Sequence, residues 1–172
     1  MKKIWVMLLM AILLAGCGKD GALETVSDVQ AEPVAAVAQR IQVQLPAELS
    51  APALQNEEST LYLCDDYSVT VQTVAAGDLQ KTIRNATGLN KENLQIMQTR
   101  QGDAKRYQFM CTANAETGIQ VGRTCILDDG AYHYVLTATA DEAVSGQVQQ
   151  AWKEIFTSFC LATERENVST GS

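Results

Sequence analysis

Three glycine-bearing turns in the second half of the chain constrain its fold more than any other feature. Gly102-Asp103 reads as a two-residue hairpin loop, and Glu116-Thr117-Gly118 as a three-residue loop with its glycine in the left-handed region. Asp129-Gly130 reads as the central pair of a type I′ turn. Each turn fixes a register. The first opposes Ile96 to Phe109 and Leu94 to Cys111. The second opposes Phe109 to Cys125, Tyr107 to Leu127 and Cys111 to Arg123. The third opposes Leu127 to Tyr132, Cys125 to Tyr134 and Val121 to Ala138. In these registers Leu94, Ile96, Tyr107, Phe109, Val121, Cys125, Leu127, Tyr132, Tyr134 and Leu136 share one face. Gln95, Thr99, Arg106, Gln108, Thr112, Gln120, Thr124 and His133 share the other. Side chains alternate with period two, so a slip of one residue in any hairpin would break that agreement. The expectation is an antiparallel meander with one face buried and the other largely wet.

The flanking segments supply strands and a cover. Leu61 to Leu63 and Tyr67 to Val71 alternate like strands, with Asp65-Asp66 at the break. Residues 78–87 read as a short helix, with Asp78 as N-cap, Leu79 and Ile83 on one face, and Gly88 as the stop. Thr139 and Glu142 match a capping box, and Val144, Val148, Ala151, Trp152, Ile155, Phe156 and Phe159 follow at helical spacing. Burying that stripe would contribute on the order of 10 kcal/mol before entropy, at roughly 1.5–3 kcal/mol per large side chain. The predicted class is α+β: an antiparallel β-meander with one face covered by a long C-terminal helix, plus a short helix after the first strands.

The chain begins differently. Lys2 and Lys3 precede an apolar run from Ile4 to Leu14, and Leu14-Ala15-Gly16-Cys17 closes it. A charged start, an apolar stretch and small residues before a cut site make a secretory signal. About 11 apolar residues rise only about 16 Å as a helix, about half the hydrocarbon core, too short for a stable span. Leu14-Ala15-Gly16-Cys17 resembles the lipobox of bacterial lipoproteins, whose signal peptidase cuts before a lipidated cysteine. The resemblance implies that residues 1–16 are a lipoprotein signal peptide and that Cys17 carries the lipid. The protein would then be anchored at the cell membrane or the outer membrane, facing outside the cytoplasm. An ordinary signal peptide with a chance cysteine is the alternative. Residues 17–59 hold all three prolines (Pro33, Pro46, Pro52) and read as the lipidated N-terminus and a disordered tether. Residues 60–161 form the expected α+β domain, and 162–172 a flexible tail.

Charge and cysteine content narrow the function classes. The formal charge is −7, and loss of residues 1–16 would remove Lys2 and Lys3 as well. No basic stripe is present to neutralise phosphates, which argues against nucleic acid. The same balance leaves membrane attachment to the lipid at Cys17 rather than to headgroup charge. Cys64, Cys111, Cys125 and Cys160 form an even set in an exported chain, which admits two disulfides in three pairings, or free buried thiols. Cys64 and Cys160 could staple the ends of the domain. Cys111 and Cys125 lie diagonally on one face in the expected register, about 7–8 Å apart, wide for a relaxed bridge. His133 is the single histidine and no Cys-x-x-Cys occurs, so no metal site is expected. No cofactor is implied, since no phosphate-binding glycine loop appears; nor does a Gly-x-Ser-x-Gly string. Asp65-Asp66 and Asp128-Asp129 read as turn residues. Arg123 is the oddity. It points to the apolar face between Val121 and Cys125, either snorkelling past the edge or marking a binding cleft between sheet and helix.

The order strand, short helix, meander and closing helix, ending Trp152-Lys-Glu-Ile-Phe-Thr-Ser-Phe159, resembles the PsbP-like/Mog1-type α+β fold over about residues 60–161. That resemblance implies a non-catalytic binding or assembly module and transfers no functional residue to a position here. The expected function is a lipid-anchored extracytoplasmic binding or assembly module with a protein partner in the envelope. The alternative is a small envelope hydrolase or ligand-sequestering protein with a cleft between sheet and helix.

Overall fold

The computed structural model describes residues 36–116 and 118–162. Alternating β-branched, aromatic and polar residues build β1 (Ile41–Gln42), β2 (Leu54–Gln55), β3 (Ser59–Leu63), β4 (Tyr67–Ala75) and β5 (Met97–Gln101). They continue in β6 (Ala104–Ala115), β7 (Gly118–Asp128), β8 (Tyr132–Asp141) and β9 (Cys160–Leu161). Helix α1 (Leu79–Thr87) lies between β4 and β5, and α2 (Gln149–Ser158) between β8 and β9. One antiparallel sheet has the order β2-β3-β4-β8-β7-β6-β5, and β1 pairs separately with β9. Helix α1 starts where the Gln80 N–H donates to Asp78 at 2.9 Å. It stops at Gly88, whose φ of 74° lets its N–H return to the Arg84 carbonyl.

The three turns do not all hold their expected registers. At Gly102-Asp103 the pairing is as read: Met97 opposes Gln108 and Gln98 opposes Tyr107. The β7–β8 turn moves by two. Asp129 Oδ1 accepts the N–H groups of Ala131 and Tyr132 at 2.9 and 2.7 Å. That side-chain turn makes Gly130 and Ala131 the central pair. Leu127 therefore opposes Tyr134 and Cys125 opposes Leu136, and an even shift leaves every side chain on its face. The β6–β7 turn moves by one. Ala115 opposes Gly118, so Phe109 meets Thr124 and Tyr107 meets Ile126. An odd shift sends Tyr107 and Phe109 to the face opposite Cys125 and Leu127.

The one-faced sheet is thereby corrected: both faces are buried. Ile83 of α1 packs with Tyr107, Phe109, Ile126 and Val135. Trp152, Ile155 and Phe156 of α2 pack with Val69, Cys125, Leu127, Tyr134 and Leu136. Thr124 and His133, expected in solvent, are buried. The unbroken runs Cys125-Ile126-Leu127 and Tyr134-Val135-Leu136 are what strands covered on both sides look like.

The expected α+β class, with a long C-terminal helix over one face, is corrected too. The fold is dominated by sheet and, among the described residues, carries two short α-helices and two single-turn 3-10 helices. Thr139 is not an N-cap. It sits in β8 opposite Ser68, their hydroxyl oxygens 2.7 Å apart. Strand β8 runs on to Asp141, and α2 is ten residues long. A capping-box pattern is equally served by a strand end whose threonine finds a cross-strand hydroxyl. Residues 36–59, assigned above to the tether, join the folded part. Ile41 opposes Leu161, Leu49 is buried, and Ile41, Val43 and Leu45 pack on the α2-side core.

The close approach of β6 and β7 makes one position sensitive. A Cβ added to Gly122 would lie 3.0 Å from Cys111 Sγ. Gly122→Val is expected to cost about 1–3 kcal/mol by overpacking, and Cys111→Ala to restore part of it. Urea denaturation of both single variants and the double variant measures this, and purely additive losses would contradict it.

Candidate functional site

Helix α2 covers only part of its face of the sheet. On β5, β6 and β7 the same face continues in the open, and there stand Met97 (57 % exposed), Met110 (52 %) and Ile119 (44 %). Register makes Met97 and Met110 diagonal neighbours, since Met97 opposes Gln108 and Met110 opposes Arg123, while Ile119 lies four residues before Arg123 on β7, about 13 Å along the strand. Methionine is adaptable and soft, which suits a contact surface. The sequence analysis did not single out these three. The signal available was Met97 between Gln95 and Thr99, and Met110 between Gln108 and Thr112, apolar residues on the predicted polar face; Ile119 fell on the predicted apolar face.

Arg123 marks the inner margin of this open strip. Its guanidinium carbon lies 4.6 Å from the centre of the Phe156 ring, a cation–π contact with α2. Burial lowers its pKa; the Cys125 thiol acts in the opposite sense and neighbouring Arg106 in the same sense. Among the described residues no carboxylate forms an ion pair with it. Arg106, expected on a wet face, is instead engaged under the end of α2. It donates to the carbonyls of Phe159 at 2.9 Å and Phe156 at 2.6 Å, and to the Gln101 side chain. A cation at a helix C-terminus answers carbonyls that have no partner within the helix.

A second cluster lies at the β7–β8 turn, in a groove of about 370 Å³ lined by Asp103, Lys105, Asp128, Asp129 and His133. His133 is 2 % exposed. Its Nδ1 is 2.8 Å from the Thr82 hydroxyl of α1, while Nε2 lies 3.9 Å from Asp128. Lys105 is also 3.9 Å from Asp128. Both distances exceed a direct hydrogen bond. Burial pushes the Asp129 carboxyl up, but hydrogen bonds from Tyr132, Tyr134, Ala131 and Gln39 outweigh this and hold it below its ordinary value. The same partners make Asp129 the knot of the turn, and burial foremost pushes the Tyr134 phenol up to about 12. No hydroxyl or thiol side chain lines the groove, which presents an imidazole, the Lys105 amine and carboxylates. A larger polar groove of about 970 Å³ runs between residues 40–44 and the outer side of α2.

Burial lowers the His133 pKa, and Asp128 and Asp129 pull it partly back. Between its folded value and about 6.5 the unfolded chain holds more protons at this site than the folded one. The contribution of His133 is therefore complete above about pH 6.5 and is lost as pH falls below it. The urea midpoint is expected to drop between pH 7 and 5.5 and to be less pH-sensitive in His133→Asn. Equal slopes in the two proteins would exclude this origin.

All four described cysteines are free thiols. Cys111 opposes Gly122 and Cys125 opposes Gln108, so the two lie on opposite faces. Burial pushes the Cys125 thiol up to about 11 and raises that of Cys111, which makes both poor nucleophiles. Cys64 Sγ contacts the Tyr67 carbonyl at 3.3 Å, and Cys160 Sγ the Gln42 side chain at 3.6 Å. Cys17 lies outside the described residues. Among the described residues no helix is long and apolar enough to cross a membrane.

No family model matches the chain, and no curated protein does. Solved structures do. A Bacteroides thetaiotaomicron VPI-5482 protein aligns with a TM-score of 0.50 at 12 % identity, covering 73 % of this chain. This chain spans only 46 % of the length of that structure. A variant of Mog1 aligns equally, with a TM-score of 0.50, 12 % identity, 73 % of this chain and 93 % of Mog1. The fold is shared with Mog1. At that identity the likeness concerns the fold alone. LpqN, involved in cell envelope biogenesis of Mycobacterium tuberculosis, is more distant, with a TM-score of 0.47, 11 % identity, and coverage of 73 % and 85 %.

Proposed function

We propose that the protein is a lipid-anchored binding or assembly module that works outside the cytoplasm without catalytic chemistry of its own. The observation that carries the binding role is the open part of the α2 face, where Met97 and Met110 are exposed as neighbours and Met110 stands directly opposite Arg123. Exposed apolar groups gathered on one side of a sheet mark contact surfaces, whereas scattered ones do not. The anchor rests on the string Leu14-Ala15-Gly16-Cys17 after a short apolar run. A lipid at Cys17 would hold an acidic domain at a surface that its own charge does not favour.

Two measurements test the two halves. A clickable palmitate analogue is expected to label the wild-type chain in cells and not Cys17→Ser; equal labelling would remove the anchor. Met97→Glu together with Met110→Glu is expected to leave the melting temperature within a few degrees and to lower recovery of crosslinked envelope partners at least tenfold. Unchanged recovery would remove the strip as the contact surface.

A further inference from the structure

The seven-stranded sheet has two edges, and they are built differently. Strand β2 is two residues long and follows Pro52 closely, so that edge offers little to pair with. Strand β5 forms the other edge with five residues, no proline, and unbroken pairing to β6. Gly102-Asp103 is a two-residue loop, which makes Gln101 and Ala104 a hydrogen-bonded pair. Pairs alternate from there, so Met97, Thr99 and Gln101 spend their backbone groups on β6. Gln98 and Arg100 turn theirs outward. The two residues lie about 7 Å apart along the strand, and among the described residues no strand pairs with their N–H and C=O groups. Such an edge is a template for one more strand.

Arg100 gives the added strand a sign. It opposes Lys105, which opposes Asp128, which opposes His133 beneath α1. This row across four strands holds two neighbouring cations at its open end and one carboxylate, 3.9 Å from Lys105. Like charges directly opposite each other are unfavourable. Arg100 is exposed and has no ion-pair partner among the described residues. An anion would answer it from the next position of the row, one strand beyond β5. Met97 stands three residues before Arg100, points to the other face and is exposed.

We propose that β5 accepts one extended segment of a different protein as an eighth strand, with a carboxylate opposite Arg100 and, three positions away, an apolar side chain opposite Met97. This rests on the reading of the chain as a binding module, though not on docking across the α2 face. A second copy fits less well. Pairing two β5 strands about Thr99 would fill the same backbone groups, but it would meet Arg100 with Gln98 and set a second Arg100 diagonally beside the first. Strand β5 carries no carboxylate to offset them. A membrane surface presents no strand, and a chain of formal charge −7 gains little at anionic lipid.

The test places photoreactive p-benzoylphenylalanine at Thr99, and separately at Met110, in the full-length protein in its native cells. Crosslinked peptides are sequenced. The expected result is a crosslink from position 99 to an Asp- or Glu-bearing segment of another protein. Gln98→Pro removes one outward N–H and none of the bonds to β6, so it should keep the melting temperature within a few degrees. It should still lower the yield at least tenfold, an effect that a partner lying flat on the α2 face would not show. Arg100→Glu should lower the yield as far, and Arg100→Lys less; if the proline variant is unstable, this pair decides. A yield indifferent to Arg100→Glu, or to a stably folded Gln98→Pro, would overturn the proposal. A crosslink from position 99 to lipid, to a second copy or to a segment without carboxylates would do so too. Crosslinks from position 110 alone would overturn it while leaving the protein a binding module. Crosslinks from neither position would count against both.

Discussion

Trp152→Ala is expected to lower the free energy of unfolding by about 3–5 kcal/mol, the range for truncating a buried aromatic side chain. Trp152 is fully buried at the centre of the α2-side core, with Val69, Leu127, Tyr134 and Leu136 among its cluster. Typical domains hold only about 5–15 kcal/mol in total, so this one change should consume a large part of the margin. The indole also has a defect that separates two contributions. Its Nε1 is buried with no acceptor, a condition that costs about 1–3 kcal/mol. Trp152→Phe loses contact area but also loses the orphaned donor, and the variant is expected to stay within about 1 kcal/mol of the wild type. Urea denaturation followed by far-ultraviolet circular dichroism is the measurement, because the substitution removes the tryptophan signal itself. An alanine variant as stable as the phenylalanine variant would show that packing at this site had been misjudged.

Ile126→Asp is the second large effect, and it discriminates between registers. Ile126 is fully buried and packs with Ile83, Tyr107, Phe109 and Val135 beneath α1. A carboxylate there would be desolvated with no cation assigned to it, and the expected loss is more than about 3 kcal/mol. In the register read from the turns alone, Ile126 would lie on the wet face and the same substitution would be nearly neutral. Loss of cooperative unfolding in Ile126→Asp supports the two-sided sheet; a stability change under about 0.5 kcal/mol, as for an ordinary surface substitution, would restore the one-sided one.

The distance between those registers is one residue in one loop. Glycine, aspartate and asparagine mark where a turn falls, but a two-residue and a three-residue loop share much of that composition. Reading 116–118 as a three-residue loop keeps the aromatic residues of β6 and β8 on a single face, and that internal consistency misleads. Ile126 and Val135 held the contrary signal. They break the alternation on their strands, and a strand with apolar residues on both sides needs two covers. Helix α1 was legible from Asp78 and Gly88, yet its role as the second cover was not, because a helix boundary says nothing about the surface it packs on. The helix around Trp152 was read too long for a related reason. Thr139 and Glu142 are local signs of a helix start, and the cross-strand bond from Thr139 to Ser68 that overrides them is a contact between residues far apart in sequence.

The candidate site follows the same division. Arg123 was conspicuous in sequence because it interrupts an apolar pattern, and its place beside α2 agrees with that. Its partner ring, Phe156, and the exposure of Met97, Met110 and Ile119 were not legible, since exposure depends on where α2 ends and how far it reaches across the sheet.

By itself the sequence determined that strands run between Leu61 and Leu136 with turns near Gly102, Gly118 and Gly130, the caps of α1, and the pairing across Gly102-Asp103, because each depends on neighbours within a few residues. It also determined the acidic balance and the Leu14-Ala15-Gly16-Cys17 string that motivates the anchor. The tertiary structure decided which face each strand of the meander presents, that residues 36–59 close onto the core, and that part of the α2 face stays open. Those outcomes follow from packing two helices and a terminal segment against one sheet. Period-two alternation fixes the two faces of a strand, but only contact with the covering elements decides which is buried, whether both are, and where the cover stops.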